Sequence, residues 1–216
     1  TDEELFRLPT REERKAFPFQ PCSRMADYMQ VLNLPVTNAA KYWAKVIKAV
    51  SSGRLLAGME IMSDLNTMNV NGTVFVNQLM DCPEIDFLGA PSPYGLRAPG
   101  GFSPARAADG SLALHGKFFF SEDDMRTHVT YGTAAGQGSP PPTPREVAQL
   151  MRRQGLSAML KGYRPYLMEF SGRWFTHPEI RKEIRTLNLL FPILREMKLQ
   201  RDPEIALVSD QESQLY

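Results

Sequence analysis

Proline lacks a backbone N–H and fixes φ, so it sits badly inside a helix or a central strand. This chain has 17 prolines, and they are unevenly spread. Pro83, Pro91, Pro93, Pro99, Pro104, the run Pro140-Pro141-Pro142 and Pro144 crowd one stretch, together with frequent glycines. Such a stretch has little helix potential. The flanking segments carry helix caps and apolar faces instead. The chain therefore divides into an N-terminal arm over 1–22, a helical block over 23–82, an irregular Pro/Gly-rich insertion over 83–144, a second helical block over 145–201 and a polar tail over 202–216.

Thr10 and Glu13 fit a capping box, which starts a short helix in the arm. In the first block Ser23 caps a helix from Arg24 to about Asn33, and Pro35 stops it. Thr37 or Asn38 caps the next, roughly Ala39 to Val50. Gly53 punctuates, and a helix over Arg54 to Thr67 puts Leu55, Met59, Met62 and Leu65 on one face. A turn at Asn69 to Gly72 leads to a helix from Thr73 to Asp81. Within the insertion, Leu112 to Phe120 and Met125 to Tyr131 favour strands around the polar turn Ser121 to Asp124, which predicts a small β-hairpin. In the second block Thr143 caps a helix ending near Gly155, His177-Pro178 opens another, and Pro192 marks a break or the first turn of a separate helix. The expectation is a mainly α fold of antiparallel helical hairpins, the C-terminal helices packing on the first set.

One segment carries a family pattern. From Trp43 to Leu65 an aromatic is followed by the apolar pair Val46-Ile47, then Gly53-Arg54-Leu55, the small Gly58 and the closing Leu65. This resembles one pentatricopeptide repeat, and Val76 to Asp81 resembles the opening of the next. The resemblance implies that Trp43, Ile47, Gly53, Gly58 and Leu65 pack an α-α superhelix, with Gly58 where two helices cross. It also implies a mitochondrial, matrix-side protein whose presequence has been removed. Most members of the family bind single-stranded RNA, about one base per repeat. The base-reading sites fall here on Ala44 and Asn77, and Ala44 has no group that could read a base edge. A few such proteins are instead structural subunits. The chain is similar in class to the extra, peripheral subunit of the mitochondrial F1 ATP synthase of euglenozoan protists, which holds to an F1 α subunit. The function implied is therefore a non-catalytic subunit that binds a protein partner. The alternative is an organellar RNA-binding protein.

Composition fits a binding role. A net charge of +1 with 43% hydrophobic residues describes a chain with a real core rather than a strongly basic nucleic-acid binder. Basic residues nevertheless gather after Arg145. Arg152, Arg153, Arg181 and Lys182 are candidate contacts for RNA or a partner, with Tyr163, Trp174 and Phe175 interleaved for base stacking. Cys22 and Cys82 form no C-x-x-C pair, which favours a reducing compartment. No run of eighteen apolar residues offers a membrane span. His115, His128 and His177 lie at no metal-ligand spacing, and Glu122-Asp123-Asp124 reads as a solvated turn. Neither a phosphate-binding loop nor a G-x-S-x-G elbow occurs. The reading is no enzyme, no cofactor and no metal.

Overall fold

The computed structural model describes residues 7, 8, 10–16, 23–61, 75–102, 106, 108–130, 141–170, 172–197, 199, 204–208 and 210. The chain forms two compact units, Thr1–Asp86 with Ile205–Tyr216, and Phe87–Glu204. The architecture is α/β, with helices alternating with parallel strands. This overturns the mainly α hairpin fold expected from the sequence.

The first unit holds α1 (Arg11–Ala16), α2 (Ser23–Ser51), β1 (Gly58–Glu60) and α3 (Val76–Met80). Helix α1 opens on a capping box: Glu13 N donates to Thr10 Oγ1 at 3.2 Å and Thr10 N donates to Glu13 Oε2 at 2.6 Å. The backbone bond from Thr10 leads the causes that hold the Glu13 carboxyl down at about 2. Helix α2 runs unbroken through Pro35, where the sequence predicted two helices. Ala26, Met29, Asn33, Thr37, Ala44 and Ser51 make its buried stripe, at helical spacing. Pro35 and Val31 are exposed. The carbonyl that Pro35 cannot serve is that of Val31, so it faces water and the helix continues.

Helix α2 ends in a Schellman motif. Gly53 N donates to Lys48 O at 2.8 Å and Ser52 N to Ala49 O at 3.3 Å, with Ser52 and Gly53 at φ of 51° and 75°. The chain does not then turn back as a helix. Asp86 takes hold of it: its Oδ2 accepts from Ala57 N at 2.7 Å and from Lys48 Nζ at 2.6 Å, and its own N–H donates to Ala57 O at 2.7 Å. Lys48 Nζ also donates to Leu55 O at 2.9 Å. Those bonds hold residues 55–57 in a non-helical path leading into β1. The expected helical hairpin is therefore absent over 54–61. Gly58 is an exposed strand residue, Trp43 is exposed and Ile47 half-buried. Leu65 lies outside the described residues.

The second unit holds β2 (Phe87–Pro91), α4 (Asp109–Leu114), β3 (Phe118–Asp123), α5 (Pro144–Leu160), β4 (Arg164–Leu167) and α6 (Pro178–Glu196). Strand β3 lies between β2 and β4, and both pairings are parallel. Phe87 sits beside Phe118, and Phe120 beside Arg164. The predicted hairpin is absent. β3 runs straight through the supposed turn, and the strands are short apolar runs joined by helices, as parallel pairing requires. The prolines of the insertion mark element ends: Pro91 closes β2 and Pro144 is the first residue of α5. Aromatic rings cover one face of the sheet, with Phe87 against Phe120 at 4.8 Å and against Phe118 at 5.5 Å between centroids.

Helix α5 starts at Thr143 with a complete capping box and passes through Gly155 rather than ending there. It buries Val147, Leu150 and Met151 with Ile180 of α6 and Met125, and Phe175 and Ile184 pack on that core. Arg152 and Glu183 clasp the two helices, Nε to Oε1 at 2.8 Å and Nη2 to Oε2 at 2.5 Å. A Cβ on Gly155 would meet Leu187 Cδ1 at 2.9 Å. The close helix approach that the sequence placed at Gly58 is thus made at Gly155. We expect Gly155→Leu to overpack it and cost about 1–3 kcal/mol. Gly58→Leu, on an exposed strand residue, should stay within roughly 0.5 kcal/mol of the parent. Urea unfolding of both variants reads the difference.

Candidate functional site: the carboxyl ends of the parallel strands

In open α/β sheets, ligands bind beyond the carboxyl ends of the parallel strands. Here β2, β3 and β4 deliver an unusual set of side chains to that edge. Strand β3 ends in Glu122 and Asp123, followed by Asp124, and all three are buried. The solvated acidic turn read from the sequence is therefore a buried acidic cluster. Its charges have partners that lie far away in sequence. Glu122 Oε2 accepts from Tyr166 Oη of β4 at 2.5 Å. Asp124 Oδ1 lies 2.5 Å from Arg97 Nη1, both side chains almost wholly buried, and Asp124 Oδ2 accepts from Tyr94 Oη at 3.2 Å.

Arg97 follows the short 3-10 turn Tyr94–Leu96 after β2. Its guanidinium lies 4.3 Å from the centroid of the Tyr94 ring and donates twice to Ser92 O, at 3.2 Å from Nε and 2.7 Å from Nη2. Arg153 of α5 supports the same loop, donating to the carbonyls of Arg97, Ala98 and Gly101 at 2.8–2.9 Å. Beside it on α5, Gln154 donates from Nε2 to Ser92 Oγ at 2.9 Å.

A cavity of about 310 Å³ opens at this edge. Ser92, Ser121, Glu122, Asp123, Gln154, Tyr166 and Asn188 supply its polar wall; Met151, Leu167, Ile184 and Leu187 are among its apolar lining. Burial pushes the Asp123 carboxyl up to about 6, against the opposing pull of Arg97. Among the described residues, no group of three or more His, Cys, Asp or Glu side chains is placed to hold a metal ion.

The residues singled out in the sequence fall elsewhere. Arg152 is engaged with Glu183, and Arg153 with the three loop carbonyls. Arg181 and Lys182 are exposed on the first turns of α6, and Asn77 is exposed on α3. Ala44 is buried. Trp174 and Tyr163 are buried and Phe175 is half-buried, so the rings expected to stack on bases serve the protein core. His128 and His177, which sequence spacing kept apart, have ring centroids 5.5 Å from each other, and His177 Nδ1 accepts from Glu179 N at the start of α6. The one signal that could have found the cavity is the acidic triplet one residue after Phe118-Phe119-Phe120, because an apolar strand carries whatever follows it to the sheet edge.

Comparison with protein-family models, curated proteins and solved structures finds no match for the chain.

A carboxyl whose folded pKa is raised binds more protons folded than unfolded between the two values. Asp123 therefore lowers stability as pH rises from about 4 through 6. The groups acting on it are Arg97, Arg153 and Asp124. Asp123→Asn removes the ionisation and keeps the shape. We expect it to raise stability at pH 7.5 by on the order of 1–3 kcal/mol, with no such gain at pH 4. Thermal melts of both proteins across that range read the crossover.

Proposed function

We propose that this protein is a non-catalytic subunit that docks on a protein partner through α6. One observation carries the reading. From Leu187 to Leu194, seven of eight consecutive residues are apolar, Asn188 being the exception. Eight residues make more than two helical turns, so this half of α6 is apolar around most of its circumference, Asn188 apart. A helix of that kind is stable when it is covered all round. Leu187 is buried in the second unit, whereas Leu189, Ile193 and Met197 form an exposed stripe at i, i+4 and i+8. Spacing of this kind anchors a helix in an apolar groove of a partner.

The neighbouring surface supports a partner of definite chemistry. A cleft of about 220 Å³ is lined by Leu160, Phe191, Leu194 and Leu199, with Lys161, Arg164 and Arg195 among its walls. Arg164 lies over the Phe191 ring at 5.2 Å. An apolar segment flanked by acidic residues suits this surface. No helix among the described residues is long and apolar enough to cross a membrane, so the stripe is not offered as a membrane span. The mitochondrial matrix and the F1 ATP synthase were implied by a repeat whose hairpin the fold lacks. We therefore define the partner by surface chemistry, and the native assembly, F1 or another, supplies its name.

Gentle purification of the native protein, with nuclease treatment, should recover it in a complex well above 24.4 kDa. Leu189→Glu with Ile193→Glu changes exposed positions, so melting should shift little. The same pair should release the chain from the complex, because two carboxylates cannot be buried unpaired in an apolar groove. Recovery of the parent as a free monomer overturns the reading, as does co-purification that nuclease abolishes.

A further inference from the structure

In the cavity at the strand ends, two polar groups each keep an oxygen that takes no hydrogen bond from the described residues. Gln154 is 5% exposed; its Nε2 is held by Ser92, but its buried Oε1 has no hydrogen-bond donor. A buried acceptor left unmade costs about 1–3 kcal/mol, so such a group points to something that fills it. Asp123 accepts one weak bond, Met125 N to Oδ1 at 3.3 Å, and among the described residues no donor reaches its other oxygen. Both residues line the cavity.

The charged groups of the wall are both acidic, Asp123 and Glu122, and they stand beside the Gln154 amide oxygen and the uncharged polar groups of Ser92, Ser121, Tyr166 and Asn188. No lysine, arginine or histidine lines it. The nearest guanidinium groups are turned to other work, Arg97 on Asp124 and Ser92 O and Arg153 on backbone carbonyls. An anion would face two carboxyl groups there with no cationic side chain in the lining to offset them. A group rich in N–H donors and positively charged meets the unpaired oxygens and balances the charge. The remaining wall is hydrocarbon from Met151, Leu167, Ile184 and Leu187, which fits a short carbon stem.

We propose that this cavity binds a small organic cation, an alkylguanidinium or alkylammonium, whose N–H groups donate to Asp123 and to Gln154 Oε1 while its stem lies on Met151 and Leu187. The cavity takes Ile184, Leu187 and Asn188 from α6, whereas the docking stripe is Leu189, Ile193 and Met197, so either reading can fail without the other.

The test is calorimetric titration of the whole chain with n-butylguanidinium and with n-butylammonium, using butan-1-ol and butyrate as neutral and anionic controls. At least one cation is expected to bind saturably below roughly 20 mM, a range set by the few heavy atoms of the probe. Butyrate should not bind. Asp123→Asn, which keeps the side-chain shape, should weaken the cation about tenfold or more, the usual effect of losing a charged hydrogen-bond partner. If that variant does not fold, Gln154→Met, which keeps the stem and removes the amide, is expected to weaken the same cation. The proposal is overturned if neither cation saturates in that range, if butanol binds as tightly as either, or if the folded variant binds as the parent does.

Discussion

A buried guanidinium organises the second unit. Arg97 joins three parts of the chain that no local signal connects: the loop after β2 through Ser92 O, the end of β3 through Asp124, and α5 through its own carbonyl, which accepts from Arg153. Taking an ion pair out of water is expensive, and removing one partner of a buried pair is worse, because the other charge is then stranded. The Tyr94 ring beneath the guanidinium and the two bonds to Ser92 O offset that cost. Once Arg97 is in place, the register of β2 against β3 is fixed at the edge where the cavity opens.

The same edge shows how one strand can serve two environments. Phe119 is buried and packs at a tilt on Tyr163, 4.8 Å between ring centroids, while Phe118 and Phe120 join the aromatic face with Phe87. Glu122 and Asp123 both reach the cavity wall but meet different partners, the Tyr166 hydroxyl for Glu122 and the Met125 N–H for Asp123. Two adjacent carboxyl groups thus acquire different chemistry. Glu122 is held by a hydrogen bond that suits its ionised form, and Asp123 is a buried carboxyl with room beside it.

The fold was legible in the sequence where local chemistry decides. Thr143 with Glu146 and Thr10 with Glu13 are reciprocal caps, and they begin helices as their spacing implies. His177-Pro178 likewise opens α6. Where distant partners decide, the sequence misled. Pro35 breaks no helix because its orphaned carbonyl lands on the wet side of α2, and the landing side depends on which stripe is buried. Asp86 holds residues 55–57 out of a helix across a separation no window of local propensity spans. The site was illegible for the same reason. Three acids in a row look solvated until Arg97 and Tyr166 are known to be next to them.

The acidic triplet also bears on how the chain reaches this state. Parallel strands cannot pair as neighbours in sequence; Phe118 reaches Phe87 only after the intervening crossover closes, and such topologies fold slowly. Until then Phe118-Phe119-Phe120 is a bare, strongly β-forming run of the kind that seeds intermolecular sheets. Glu122, Asp123 and Asp124 follow it almost at once, and in the open chain they are hydrated and ionised. A block of like charge at the end of an apolar strand repels a second copy of itself, as gatekeeper residues do. The three carboxyl groups thus guard the nascent strand, and that protection ends when β3 is enclosed and they pass out of water.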